Sequence, residues 1–134
     1  MAIQYSVAVR NAQLDAVEST ISTTGVLKLF TGAAPANCAA ANSGTELFSE
    51  TLPSDWMAAA SSGSKALSGT WQSTGLAAGT AAHFRLYASD GTTCHIQGTV
   101  TATGGGGDMT LDNAVIASGQ TITISTFTIA AGNS

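Results

Sequence analysis

Charged side chains are scarce in this sequence of 134 residues. Only 9% of the residues are Asp, Glu, Lys or Arg, whereas about 25% is usual in soluble domains. Alanine, with 24 residues, and serine plus threonine, with 34, take their place. Mixed surface charge normally protects a free monomer against association. The composition therefore favours a protein that works packed against other subunits, and a neutral soluble monomer is the alternative.

Basic residues and long apolar runs are also lacking. The net charge is −4, and the four basic residues, Arg10, Lys28, Lys65 and Arg85, are scattered along the chain. Because they form no positive stripe that could neutralise phosphates, we expect no nucleic-acid partner. No apolar run approaches the ~20 residues of a membrane span, and the start of the chain lacks the basic and apolar segments of a signal peptide. We expect no membrane partner.

The sequence has only two cysteines, Cys38 and Cys94, which lie 56 positions apart. They form no C-x-x-C motif, and no histidine stands at metal-binding spacing from them. We expect two buried free thiols. A disulfide between them stays open as an alternative, although it would not fit an intracellular assembly route.

A helical period is present near the start of the chain, over residues 7–21 (VAVRNAQLDAVESTI). Val7, Leu14, Val17 and Ile21 fall on one face of this helix, and we expect Leu14, Val17 and Ile21 to be buried. Gly25 is placed to end the helix in the left-handed conformation. A helix this short and amphipathic needs a partner surface.

After residue 25 the pattern changes to short strands separated by turn residues. The expected strands are 26–32, 45–53, 70–74, 82–89, 94–102, 108–113 and 121–130. About seven short strands of this kind are typical of an all-β sandwich or jelly roll. In the last strand the alternation of Ile and Thr slips at Ser125 and Thr126, which predicts a bulge. We predict a single domain, 1–134, with the helix followed by an antiparallel β-sandwich over 26–130.

Two segments between these strands have other patterns. Residues 33–44 (AAPANCAAANSG) form a long alanine-rich loop with several turn residues. In residues 54–69, Ser54 is placed to cap a short helix over 57–60, and Gly63 is placed to end it.

The segment 82–102 has the pattern of a β-hairpin. Pairing Leu86 with Ile96 and Phe84 with Gly98 puts the apolar residues on one face and leaves a loop of usual hairpin length. On the opposite face, the same register brings together six mostly polar residues. They are His83, Arg85, Tyr87, His95, Gln97 and Thr99.

This polar face is the strongest candidate for a site, through His83, Arg85 and His95. Two histidines on adjacent strands could hold a metal, but a zinc site needs at least three protein ligands. In the expected register Cys94 points the other way, and Asp90 lies at the loop tip. We therefore expect a solvated or interfacial polar face, with no metal and no cofactor.

Four consecutive glycines, 104–107, raise the question of a phosphate-binding loop. Such a loop needs an apolar strand before it, a helix after it and normally a lysine at its end. Here the preceding strand is rich in threonine, no lysine follows, and Asp108 would repel a phosphate. We expect a flexible hairpin connection or a close backbone contact with a neighbouring subunit.

The remaining residues form no recognisable catalytic set. No G-x-S-x-G nucleophile elbow is present. The carboxylate pairs Glu46/Glu50 and Asp108/Asp112 are best explained as solvent-facing or edge-protecting charges. We predict no catalytic residues and no enzymatic activity.

Two tryptophans, Trp56 and Trp71, each stand beside small residues. The large apolar area of an indole suits either a core anchor or an interface hot spot. With 6% aromatic residues in the chain, we expect one of them in the core and the other at an interface.

Several blocks of the sequence together resemble small virion-associated proteins of tailed bacteriophages and prophages. The likeness runs over nearly the whole chain, and its most specific parts are HFRLYASDGTTCHIQG at 83–98 and GDMTLDN at 107–113. Members of this family mostly carry no assigned activity, so the resemblance implies a structural role in the particle rather than a reaction.

The resemblance by itself does not distinguish head from tail. Phages commonly build capsid decoration (cement) proteins from small β-sandwiches that sit as trimers over capsomer junctions, and because this chain fits that size and composition, we expect a decoration protein. It would belong to the virion, assembled in the host bacterial cytoplasm. Its partners would be the major capsid protein and copies of itself, with no small-molecule substrate, and the helix 7–21 or the loop 33–44 would make the contact. A neck or tail component, and a carbohydrate-binding β-sandwich of a receptor-binding device, are the alternatives.

Overall fold

The computed structural model describes residues 3–131, which form one N-terminal helix followed by ten strands. Helix α1 spans Val7–Ile21. The strands are β1 Val26–Phe30, β2 Glu46–Thr51, β3 Ser64–Ala66, β4 Gln72–Thr74, β5 Gly79–Thr80, β6 His83–Tyr87, β7 Cys94–Ala102, β8 Met109–Leu111, β9 Val115–Ile116 and β10 Thr121–Ala130. All seven expected strands are present, and β3, β5 and β9 are short additions to them.

Eight of these strands form one curled sheet. Its order is β2, β1, β6, β7, β8, β10, β3, and β4 pairs with β10 beside this path. Strand β4 also lies against β2, so distant parts of the sheet approach each other and enclose the core. Strands β5 and β9 form a separate two-stranded sheet. The all-β, sandwich-like fold is confirmed.

One strand pair departs from the antiparallel expectation. Strands β7 and β8 run parallel, with Val100 opposite Met109 and Ala102 opposite Leu111. Parallel neighbours normally need a connection of a dozen or more residues, but here only residues 103–108 join them. The chain must therefore turn sharply after β7 and run back along it before β8 begins.

The glycine run makes this return possible. A Cβ at Gly105 would lie 2.7 Å from the Thr101 Cβ, and one at Gly107 would lie 2.9 Å from the Thr101 backbone nitrogen. Gly104 and Gly106 have φ angles of 86° and 82°, which favour glycine. Gly105 and Gly107 thus lie against the chain's own strand β7, and because β7 and β8 are parallel, the expected hairpin connection is wrong.

The core fills the space inside the curled sheet. Its buried members are Ile21, Leu27, Leu29, Leu47, Phe48, Leu52, Trp56, Met57, Trp71, Ala81, Phe84, Leu86, Val100, Met109, Leu111, Ile116, Ile122, Ile124 and Phe127. Four rings form a continuous chain through it, with centroid distances of 5.9 Å from Trp56 to Trp71, 5.7 Å from Trp71 to Phe127, and 5.4 Å from Phe127 to Phe84.

Both tryptophans are fully buried, so the expectation that one lies at an interface is wrong. The Nε1–H of Trp56 donates to the Ser22 carbonyl, and that of Trp71 donates to the Ser68 carbonyl, each at 3.1 Å. Because the polar tip of each indole has a partner inside the chain, both rings can be buried at little cost.

Helix α1 has the expected bounds, and Ser6 caps its start by accepting a hydrogen bond from the Val9 backbone N–H at 3.2 Å. Leu14 and Ile21 are buried, whereas Val17 is only partly buried against the core. Polar contacts complete the docking of the helix on β3, chiefly the Lys65 ammonium, 2.9 Å from Asp15 and 3.0 Å from Glu18.

The end of α1 differs from the expectation. Ser22 and Thr24 adopt positive φ angles of 69° and 61°, and Gly25 does not. Gly25 is needed for a different reason, since a Cβ there would lie 2.6 Å from the Ile21 Cγ2 atom. The residue thus lets β1 start close against the end of the helix.

The segment 54–69 contains no helix, which corrects the expectation for 57–60. Met57 forms a bridge with Leu67, and Ser61 forms one with Ser64, so the chain makes a narrow antiparallel turn. Gly63 lies in this turn with a φ of 74°. An extended backbone lets Met57 enter the core and leaves β3 free to pair with β10.

Candidate functional site

The polar face of the hairpin is formed largely as expected. Leu86 pairs with Ile96 and Phe84 with Gly98, which confirms the expected register, and on the other face Arg85 pairs with Gln97.

The bulge in β10 is also confirmed, since its register with β8 shifts between Ile124 and Thr126.

A second bulge changes the membership of this face. The register of β6 with β7 shifts after Leu86, so Tyr87 pairs with Cys94 rather than with His95. The expectation that Cys94 points away is therefore wrong, and so is the placement of His95. The outer polar face consists of His83, Arg85, Tyr87, Cys94, Gln97 and Thr99.

His95 is exposed and lies on the helix side of the hairpin, away from His83. It lines a cleft of about 260 Å³ together with Ile96 and residues of α1, among them Val17. Within residues 3–131, no three His, Cys, Asp or Glu side chains are grouped as metal ligands. The two histidines therefore do not form the pair that the expected register placed together.

Most of the outer polar face is covered by the chain itself, and of its six residues only Thr99 is exposed. Residues 31–45, here called the covering loop, run over it between β1 and β2, and all five residues of β6 are buried. His83 and Arg85 are each only 1% exposed. The expectation of a solvated face is thus wrong, because the loop supplies the polar partners that solvent or a neighbouring subunit was expected to supply.

Arg85 makes the densest set of these contacts. Its Nη1 donates to the Asn42 Oδ1 at 2.6 Å, and its Nη2 donates to the carbonyls of Cys38 at 2.7 Å and Ala40 at 3.0 Å. None of the ion pairs in the described part of the chain involves Arg85. Carbonyl dipoles therefore stabilise this buried charge, and the planar guanidinium fixes the loop at several points.

Three further side chains attach the covering loop along its length. His83 lies 2.7 Å through Nδ1 from the Gly32 carbonyl. The Gln97 Nε2 donates to the Pro35 carbonyl at 2.6 Å, and the Tyr87 hydroxyl donates to the Asn42 side chain. The covering loop is thus held at both ends and in the middle by one face of the sheet.

A cleft of about 330 Å³ remains between the covering loop and the tip of the hairpin. It is lined by Lys28, Cys38, residues 39–42, Arg85, Tyr87, Gly91 and Thr92. Lys28 forms an ion pair with Glu46 at 3.1 Å, and its Nζ lies 5.4 Å from the Tyr87 ring centroid. Both cations at this cleft, Lys28 and Arg85, already have partners within the chain.

The two cysteines meet beside this cleft. Burial, together with a hydrogen bond to the Cys38 thiol, raises the pKa of Cys94 to about 11. Cys94 is therefore a protonated thiol at neutral pH and a weak nucleophile. In the sequence, the 56-position separation gave no signal for this proximity, which depends on the covering loop and the second bulge.

Of the four paired carboxylates, Asp108 and Asp112 are exposed and Glu46 is partly exposed, as expected, and all three also make contacts within the fold, whereas Glu50 is partly buried. Glu46 binds Lys28, while Asp108 accepts a hydrogen bond from the Thr99 backbone N–H at 2.9 Å. Asp112 accepts one from Thr123 at 3.1 Å. Glu46, Asp108 and Asp112 thus pair with a cation or with backbone groups of neighbouring strands.

Exposed apolar side chains are concentrated at the start of α1. Ile3 is 70%, Val7 50% and Val9 44% exposed, and Tyr5 belongs to the same segment. Leu76 and Val115 are exposed elsewhere on the surface. In the described range, no helix is both long and apolar enough to cross a membrane.

The fold and this site define a sandwich-like all-β domain whose polar sheet face holds a long loop. No family model matches the chain, and no curated protein or solved structure matches it either. What the protein does has therefore to be inferred from its own sequence, fold and surface.

Proposed function

We propose that the chain is a structural protein of a bacteriophage particle and that it decorates the outside of the capsid. The proposal is carried by the exposed apolar side chains of Ile3, Val7 and Val9 on a domain with only 9% charged residues. Exposed apolar groups that are clustered in this way mark surfaces for protein contacts. The resemblance of residues 83–98 and 107–113 to virion-associated proteins supports the same role.

The contact with the major capsid protein is made by the first turns of α1. The sequence left two candidates for this contact, the helix and the loop 33–44. The loop directs polar groups, such as the Asn42 side chain and the Cys38 carbonyl, inward to Arg85. The start of the helix instead presents apolar side chains outward, and an interface of about 800 Å² per partner would bury them.

Copies of the chain associate as trimers at the local three-fold positions of the shell. Closed symmetric association covers apolar surface without leaving an open end. Each copy adds contacts that only the assembled shell provides, so binding stabilises the particle by mass action.

The test is to count copies of the protein in purified particles, by quantitative mass spectrometry and by a particle reconstruction. Hundreds of copies on the outer surface are expected. About six or twelve copies would place the chain in the neck or tail and overturn the proposal. Particles lacking the protein should still form, but they should rupture at a lower temperature than complete ones.

A sugar-binding role has less support from the surface. Exposed, clustered aromatic rings are what such a site would use. Of the Phe, Trp and Tyr residues, all of which fall within residues 3–131, only Tyr5 is exposed.

A further inference from the structure

Cys38 and Cys94 come from two segments that the fold brings together. Cys38 is in the covering loop, and its carbonyl accepts a hydrogen bond from the Arg85 Nη2 at 2.7 Å. Cys94 begins β7 and pairs with Tyr87, whose hydroxyl binds Asn42 of the same loop. Cys38 lines a cleft together with Arg85 and Tyr87, and Cys94 is paired with Tyr87 across the strands while its thiol donates to the Ile96 carbonyl at 3.4 Å. Both cysteines therefore lie beside Tyr87, where the covering loop meets the sheet.

The pair is partly accessible. Both cysteines are partly exposed and unbridged in this structure, and Cys38 lines the open cleft beside the hairpin tip. A small reagent can therefore reach Cys38 through the cleft without unfolding the core. At this end, hydrogen bonds hold the covering loop to the sheet, and a disulfide would add a covalent link to β7.

We propose that Cys38 and Cys94 form a reversible disulfide that locks the covering loop onto the outer polar face, by exchange with a low-molecular-weight disulfide. The Cys38 thiolate attacks one sulfur of that disulfide, forms a mixed disulfide and releases the first small thiol. The Cys94 thiolate then attacks the Cys38 sulfur and releases the second small thiol. Two protein thiols are oxidised, one small disulfide is reduced to two thiols, and no other reactant is needed.

The disulfide would stabilise the attachment of the covering loop to the sheet. In the dithiol form, hydrogen bonds to Arg85, Gln97 and other side chains of the outer polar face keep the loop in place. The disulfide adds a covalent closure across 56 positions, which restricts the unfolded chain strongly. We expect the melting temperature to rise by about 10 °C on oxidation.

The second step should be slow at neutral pH and faster in alkali. Cys94 must lose its proton before it can attack. Burial raises the pKa of Cys94, and the nearby Arg85 guanidinium offsets only part of that effect; in the mixed disulfide the Cys38 thiol no longer contributes. The rate of ring closure should therefore increase from about pH 7 to about pH 9, as the thiolate fraction of Cys94 grows.

The experiment equilibrates the purified full-length chain with oxidised and reduced glutathione at a series of ratios and records intact mass, peptide maps and melting temperature. The expected product is a monomeric chain that has lost two hydrogens, carries no glutathione and has a Cys38–Cys94 peptide link. Its melting temperature should be about 10 °C higher, and a reductant should reverse the change.

Cys38→Ser and Cys94→Ser are the matched controls. Each should keep the melting temperature of the reduced wild type under oxidising conditions, because neither can close the bridge. Comparison of oxidised and reduced wild-type protein needs no substitution, so it remains decisive if a variant fails to fold. The proposal is overturned by a persistent dithiol at every ratio, by glutathione adducts without closure, by disulfides between chains, or by closure without a rise in melting temperature.

Discussion

Arg85 has an unusual position for a cation in a chain with so few charges. It is 1% exposed, yet its guanidinium faces carbonyl groups and the Asn42 amide instead of a carboxylate. The contacts specify one conformation for the covering loop, since a planar group with several donors fits only one arrangement of acceptors. The residue thus turns the polar side of β6 into an attachment surface.

Replacing Arg85 with alanine should lower the free energy of unfolding by about 3 kcal/mol, because it leaves the Cys38 and Ala40 carbonyls without their donor and removes one of the two donors to Asn42. Arg85→Lys should recover only part of the loss, since an ammonium cannot span the same acceptors. Urea unfolding monitored by tryptophan fluorescence measures both values.

Lys28→Ala is the control for charge alone. Lys28 and Glu46 are 21% and 36% exposed, so breaking this ion pair should cost less than about 1 kcal/mol. If Arg85→Ala is no more destabilising than Lys28→Ala, the guanidinium does not hold the loop.

Glu50 illustrates the opposite situation, a carboxylate in an unfavourable environment. It lies on β2 where β4 approaches, and its Oε2 is buried without a hydrogen-bond partner among the described residues. Burial raises the pKa of Glu50, and a hydrogen bond from the Gln72 backbone N–H offsets only part of that effect.

The folded state therefore holds the Glu50 proton more tightly than the unfolded chain does. Where the pKa of an acid is raised by folding, stability falls as pH rises through the interval between the two pKa values. Glu50→Gln should thus have a higher urea midpoint than the wild type at pH 7. The difference should shrink towards about pH 4, where the wild-type carboxyl is protonated. A variant equally or less stable at pH 7 would contradict this assignment.

At the scale of elements, the connection from β7 to β8 is the most constrained part of the chain. It reverses direction within residues 103–108 and then lets two parallel strands pair. Side-chain contacts reinforce the reversal, since the Thr101 Oγ1 accepts from the Gly107 N–H at 3.0 Å and the Thr99 Oγ1 accepts from Asp108 at 3.1 Å. Each glycine of this run is needed either because a Cβ would clash with Thr101 of β7 or because its φ angle is positive.

Gly107→Ala should destabilise the fold by about 2 kcal/mol, because its Cβ would meet backbone that cannot move without breaking a strand pair. The clash is with the Thr101 nitrogen, at 2.9 Å. Gly104→Asn is the matched control, since nothing lies within 4 Å of that Cβ and asparagine tolerates positive φ. Thermal unfolding of the two variants compares the effects; equal losses would rule out close approach as the cause.

At the scale of the whole molecule, the polar and the apolar parts of the surface differ in their contacts. The covering loop and the outer polar face form hydrogen bonds with each other through Arg85, His83 and Gln97, although one further polar atom of each of these side chains is buried without a partner among the described residues. Ile3, before α1, and Val7 and Val9, in its first turn, are exposed to the outside. This asymmetry is the reason to look for partner copies at the helix rather than at the loop.

Sedimentation of the purified chain should show trimers, and the double substitution of Val7→Ser with Val9→Ser should give monomers because it removes apolar contact area. Val115→Ser is the control, since Val115 is 64% exposed but lies on β9. A monomeric wild type at all concentrations would overturn trimer formation. Loss of trimers in the Val115 variant instead would place the contact at β9.

Local pattern was sufficient for much of this fold. The bounds of α1, the pairing of Leu86 with Ile96 and the bulge near Ser125 all follow from the period and phase of apolar residues, because these determine which side chains a strand or helix can bury. Where the pattern was weak, as at 57–60, the expectation failed. There, packing of Met57 in the core and pairing of β3 with β10 decided the conformation.

The sequence by itself determined the fold class, seven of the ten strands and the existence of a polar face on the hairpin, because each depends on neighbours close along the chain. Only the tertiary structure decided what covers that face. Because of one bulge between β6 and β7, Cys94 rather than His95 lies on the outer polar face, and the covering loop brings Cys38 close to Cys94. Such contacts depend on chain segments far apart in sequence, whose mutual position follows from packing and strand pairing rather than from any local period.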